Sequence, residues 1–233
     1  MDKIPIYKPW LTSLERKYLL EAFDSTWISS KGPFIERFES LFADFIGTKY
    51  AVSTCNGTAA CHLALEASGV GQGDLVIVPN LTFVATANAV RIAGATPIFA
   101  DVDLNTWNSE LLQIKEAHEY CDDVLFQEPK AVFAVHLFGN PVDIKDTILL
   151  KTKYPDLLFI EDACESIGSS CRYNDDHPPL KTGSFGKCAA FSFFANKTLS
   201  SGTGGVLVTN NKDIYEKAVL LRGQGQTTQY YHP

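Results

Sequence analysis

Along the chain, short apolar runs rich in Val, Ile, Ala and Phe recur between longer stretches in which apolar residues return every three or four positions. Seven runs read as strands, at residues 50–53, 75–79, 97–100, 131–135, 157–161, 189–193 and 204–208. Nearly all are too continuously apolar to leave one face in water, as expected of strands covered on both sides. Between them, residues 11–24, 33–46, 58–68, 82–93, 147–154 and 213–222 carry the helical period, each offering an apolar or amphipathic face to a sheet. This alternation predicts an α/β protein with a mostly parallel seven-stranded sheet and helices on both faces. The polar segment 173–182, holding Asp175, Asp176, Pro178 and Pro179, reads as a surface loop or hairpin.

Composition narrows the class. At 233 residues and 45% apolar content the chain can build one sizeable core. A formal charge of −7, with no basic run, gives no attraction to a nucleic-acid backbone. The six cysteines show neither a CxxC pair nor a histidine at metal-ligand spacing, so reduced thiols are expected and no metal site. No apolar stretch approaches the ~18 residues of a membrane span, and Met1-Asp2-Lys3-Ile4-Pro5 begins no signal-peptide core; a cytoplasmic protein is expected.

In an open α/β sheet, ligands collect beyond the carboxyl ends of the strands, so the residues there carry the candidate chemistry. After the first strand, Asn56-Gly57-Thr58-Ala59-Ala60 opens a helix whose unpaired amides favour a phosphate, although Thr58 could simply cap that helix. After the second, Phe83 could lie flat on a planar ring or fill the core. The fifth strand runs into Glu161-Asp162-Ala163-Cys164-Glu165, where Asp162 leaves an apolar run and needs a partner: a protonated ring nitrogen, a salt bridge or a helix cap. The sixth runs through Ser192 and delivers Lys197 into a turn rich in Gly and hydroxyls. Burial there favours a neutral amine able to attack an aldehyde; solvation would leave Lys197 an ordinary surface charge.

The blocks from Trp27 to Glu39, Asn56-Gly57-Thr58-Ala59-Ala60, Thr82-Phe83-Val84-Ala85-Thr86, Glu161-Asp162-Ala163, Gly183-Ser184-Phe185-Gly186 and Phe191-Ser192-Phe193 with Asn196-Lys197 occur in this order along essentially the whole chain. In order and spacing the sequence resembles the DegT/DnrJ/EryC1/StrS sugar aminotransferases. The resemblance implies a type I aminotransferase large domain binding pyridoxal 5'-phosphate, with residues 1–30 as an N-terminal arm and helix and 31–233 as the cofactor-binding domain. It implies Lys197 as the catalytic Schiff-base lysine, Asp162 on the pyridine nitrogen, Glu165 near the ring hydroxyl, and Phe83 stacked on the ring. Gly57, Thr58 and Ser192 would cradle the phosphate, and His136 falls at a pocket-facing position. The implied reaction moves an amino group, usually from glutamate, to a nucleotide-linked 4-keto-6-deoxy sugar, in a homodimer, as in perosamine or viosamine synthesis.

Two departures stand out. Ser201-Gly202-Thr203-Gly204-Gly205 carries Thr203 where relatives commonly have Glu. Relatives also run on well beyond Pro233, so a small C-terminal domain is expected to be absent. A truncated, non-catalytic paralogue that binds cofactor or a partner chain is the alternative reading. A related ketosugar dehydratase would carry His in place of Lys197.

Overall fold

The computed structural model describes residues 8–226. Met1–Pro5 and the tail after Gln226 lie outside the described residues. The main sheet is built from β1 (Tyr50–Thr54), β2 (Leu75–Pro79), β3 (Thr96–Ala100), β4 (Ala131–Val135), β5 (Leu158–Asp162), β8 (Cys188–Ser192) and β9 (Gly205–Thr209), in the order β1-β9-β8-β5-β4-β2-β3. From β8 through β5, β4 and β2 to β3 every pairing is parallel; β9, inserted between β1 and β8, is antiparallel to both. The expected mostly parallel sheet is present, with most boundaries shifted by a residue. β6 (Ser170–Cys171) and β7 (Leu180–Lys181) close the expected polar segment as a small antiparallel hairpin.

Strand alternation divides the core between two faces. On one, Val52, Val76, Phe133, Ile160 and Leu207 pack in a single apolar cluster with α3 (Gly57–Ala67), α4 (Ala85–Ile92) and α7 (Lys212–Arg222). On the other, Ala51, Phe191 and Val206 meet α2 (Pro33–Ile46), while Ile77, Val132 and Phe159 meet α5 (Leu111–Leu125) and α6 (Ile144–Lys153).

Three features depart from the sequence pattern. α5 has no counterpart in it, because its buried face, Ile114, Ala117, His118 and Cys121, is diluted by neighbouring charges from Lys115 to Asp123. α1 (Ser13–Ser25) is capped by Thr12 and Glu15 as a helix should be, yet buries no residue; it supplies no face to the sheet. Its apolar period requires a cover without saying which. β3 is an edge strand, so its apolar run leaves Phe99 exposed. Among the described residues no helix is long and apolar enough to cross a membrane.

Candidate active site

An open cavity of about 260 Å³ lies at the carboxyl ends of β4, β5 and β8, against the starts of α3 and α4. Asn56, Gly57 and Thr58 enter it from α3, Thr82 and Phe83 from the loop before α4, and Asp162, Glu165, Ser192 and Lys197 from β5, β8 and the segments that follow them. Every sequence-derived site residue lines this cavity; His136 does not.

The start of α3 is capped by Asn56, whose side-chain oxygen accepts from the Ala59 amide at 2.8 Å. Thr58 is therefore not the cap, and its side chain faces the cavity instead. Gly57 and Thr58 present first-turn amides, which have no intrahelical acceptor. A Cβ on Gly57 would stand 2.7 Å from Ser192 Cβ and 3.0 Å from Cys164 Sγ, so only glycine lets α3 approach β8 this closely. The buried Ser192 hydroxyl accepts from the Phe194 amide at 3.3 Å and keeps its own proton to donate. Two helix-start amides and two hydroxyls thus converge as a donor set for an oxyanion such as a phosphate.

Asp162 ends β5 with both carboxylate oxygens held: Oδ1 accepts from the Cys164 amide at 3.2 Å and Oδ2 from Thr86 Oγ1 at 2.6 Å. It is buried, forms no ion pair among the described residues and caps no helix. A carboxylate with spare acceptor capacity in an apolar-walled cavity suits a cationic N–H donor. The hydrogen bond that Cys164 gives to Cys61, the largest cause, together with burial and the Asp162 charge, holds the Cys164 thiol well above its ordinary pKa. Cys61, Cys164 and Asp162 place three ligating atoms within 4.8 Å of one another, a grouping invisible in cysteine spacing.

Lys197 also lines the cavity. Its Nζ donates to Glu165 Oε1 at 2.9 Å, and Glu165 Oε2 accepts from the Phe138 amide at 2.9 Å, so the carboxylate is anchored to backbone and the amine to the carboxylate. The Phe83 ring centroid lies 5.9 Å from Nζ. Phe83 is 69% exposed, which excludes the core reading and leaves a ring at the cavity mouth.

His136 is fully buried behind the cavity wall. Its Nδ1 accepts from the Val142 amide at 3.2 Å, so the ring proton sits on Nε2, which donates to Glu161 Oε2 at 2.9 Å. The expected pocket-facing position is corrected: the imidazole is turned into the scaffold. Glu161 also accepts from the amides of Gly183, Phe185 and Gly186 at 2.6, 2.7 and 2.5 Å. Thr203, where relatives commonly have Glu, donates to the Cys55 carbonyl at 3.0 Å and ties its turn to the loop before α3. Thr86 and Glu161 carry no sequence signal of a functional role, because their partners lie far away along the chain.

A mostly parallel sheet with a lysine, a buried aspartate and a set of oxyanion donors on one cavity is the arrangement expected of the cofactor-dependent aminotransferase class. The fold agrees: an aminotransferase from Psychrobacter cryohalolentis superposes with a TM-score of 0.81 at 31% identity, over 94% of this chain and 53% of that one. A GDP-4-keto-6-deoxy-D-mannose-3-dehydratase from E coli with bound hydrated PLP gives 0.84 at 28% identity, over 97% and 56%. The model of the DegT/DnrJ/EryC1/StrS aminotransferase family matches residues 10–233, and the chain belongs to that family. GDP-perosamine synthase of Escherichia coli O157:H7 is 43% identical over 234 residues, 100% of this chain and 60% of its own length. The chain thus spans about 60% of that curated relative.

Proposed function

We propose that the protein acts as a pyridoxal-phosphate-dependent aminotransferase, moving an amino group from glutamate to the keto carbon of a nucleotide-linked 4-keto-6-deoxy sugar, as in perosamine or viosamine synthesis. The observation that carries this reading is the meeting of Lys197, Asp162 and the Gly57, Thr58 and Ser192 donors on one cavity. The cofactor fits what is there. The close approach that only Gly57 permits builds a cradle for its phosphate, and Asp162 offers a charge-matched acceptor for its ring nitrogen. When bound, pyridoxal phosphate supplies a ring that accepts the electron pair released as a donor carbon loses its proton.

The protein's own residues do the rest. Lys197 Nζ takes up that proton and returns it at the neighbouring carbon, acting as general base and then acid. Glu165, 2.9 Å away, keeps the amine aimed at the cavity between these transfers. Phe83 covers the cavity mouth, and Asp162 holds the ring nitrogen in its protonated state. Lys197 rather than His favours amino transfer over the dehydratase chemistry of related proteins. We assign residues 31–233 to a cofactor-binding large domain and 1–30 to an arm, and place the protein in the cytoplasm as a homodimer. The exposed Trp10, Leu14, Phe23 and Trp27, with Phe138 and Phe194 near the cavity, support a covering subunit.

Mixing the purified chain with pyridoxal phosphate should produce the visible absorbance of a lysine-bound cofactor, and Lys197→Ala should abolish it. Adding glutamate should then convert that band to the amine form of the cofactor. An unchanged visible band in Lys197→Ala sinks the assignment.

A further inference from the structure

Thr86 lines no part of the cavity described above, yet it is fully buried in the first turn of α4 and touches its most consequential charge. Its Oγ1 has three polar neighbours: Asp162 Oδ2 at 2.6 Å, Thr82 Oγ1 at 3.0 Å and the Phe83 carbonyl at 3.3 Å. A hydroxyl has one proton to give, and the short contact to a charged acceptor claims it. Thr82 must then donate to Thr86, so that Thr82, Thr86 and Asp162 form a directed chain of hydrogen bonds. The chain begins on the cavity wall, where Thr82 stands, and ends on the carboxylate. Hydrogen bonds in series polarise one another.

The second oxygen of Asp162 is held by the Cys164 amide at 3.2 Å. Each oxygen thus takes one donor from a different element, α4 on one side and the turn after β5 on the other. Two donors fix the plane of a carboxylate; one leaves it free to rotate about its last bond. We propose that Thr86 is a positioning residue that orients the Asp162 carboxylate toward the cofactor ring nitrogen, through the Thr82–Thr86–Asp162 chain. The inference rests on the cofactor reading above.

A buried threonine that merely satisfies a buried carboxylate would give the same static picture, so the test must read the ring nitrogen itself. Two cofactors are compared on the full chain: pyridoxal phosphate and its analogue with C–H in place of the ring nitrogen. Dissociation constants are measured by absorbance and fluorescence titration for wild type, Thr86→Val and Thr86→Ser. Thr86→Val should weaken pyridoxal phosphate about tenfold, the scale of one hydrogen bond to a charged group, and leave the analogue within about threefold. Thr86→Ser, which keeps the hydroxyl, should restore the preference for the ring nitrogen. Equal weakening of both cofactors in Thr86→Val, or no change in either, overturns the proposal, and because it is read as a ratio any general loss of stability cancels. A wild-type chain that binds neither cofactor overturns the functional reading and the inference with it. A wild type that binds both equally instead removes Asp162 as the ring-nitrogen partner, and with it the role of Thr86.

Discussion

Glu161 and Asp162 are neighbours on β5, both buried, and strand alternation sends them to opposite faces of the sheet. On the scaffold face Glu161 is gripped by three backbone amides and the buried His136 imidazole. On the cavity face Asp162 has one backbone amide and one hydroxyl, and looks into open space. The difference teaches how a buried charge is used. Saturated by fixed donors, a carboxylate staples two loops together; held by fewer donors at a cavity, it retains capacity for a ligand. Gly183 shows how tightly the staple is drawn, since a Cβ there would stand 2.3 Å from the Phe191 ring at a φ of +94°.

Removing each carboxylate in turn separates the two roles. Glu161→Ala strands three amides and an imidazole N–H in the core, and should cost about 3–5 kcal/mol of unfolding free energy, read by urea denaturation. A loss below about 1 kcal/mol would show that the scaffold face is not the staple described. Asp162→Asn should behave in the opposite way. Stability should change by less than about 2 kcal/mol, because the amide oxygen can still accept from Thr86 or Cys164, while pyridoxal phosphate affinity should drop roughly 30-fold as a charge-assisted bond becomes neutral. Cofactor binding in Asp162→Asn as tight as in the wild type would contradict the assignment.

The smallest effect concerns the thiol beside Asp162. Cys61 chiefly, then burial and the Asp162 charge, keep Cys164 protonated, so alkylation of Cys164 near pH 8 should be slow. The sign of the charge contribution is definite: a nearby anion disfavours the thiolate, and its removal lowers the thiol pKa. In Asp162→Asn, iodoacetamide should therefore label Cys164 about two- to threefold faster, as followed by peptide mass spectrometry. An equal rate in both proteins would mean that access rather than charge governs that thiol.

Much of the site is legible before any coordinates. Lys197, Asp162, Phe83, Ser192 and the Gly57-Thr58 turn each follow or end an apolar run, and in a parallel sheet those ends share one edge. Their convergence follows from topology. The reading is weaker where a residue's role depends on a remote neighbour. His136 follows β4 as the other candidates follow their strands, yet its ring turns away from the cavity toward Glu161, 25 positions on. Thr86 looks like one more hydroxyl in a helical stretch until α4 docks it against Asp162, 76 positions away.

The sequence by itself determined the seven strands, the burial of most of them and the class of fold, because hydrophobic periodicity is a local property of the chain, and its resemblance to a family singled out the lysine on which the proposed chemistry turns. Tertiary structure alone decided which helices cover the sheet, that α1 does not, that Asn56 rather than Thr58 caps α3, and which of two adjacent carboxylates faces the cavity. Those outcomes depend on which donors and apolar surfaces reach a residue once distant segments are packed, and a donor supplied from elsewhere in the chain leaves no mark on the residue that receives it.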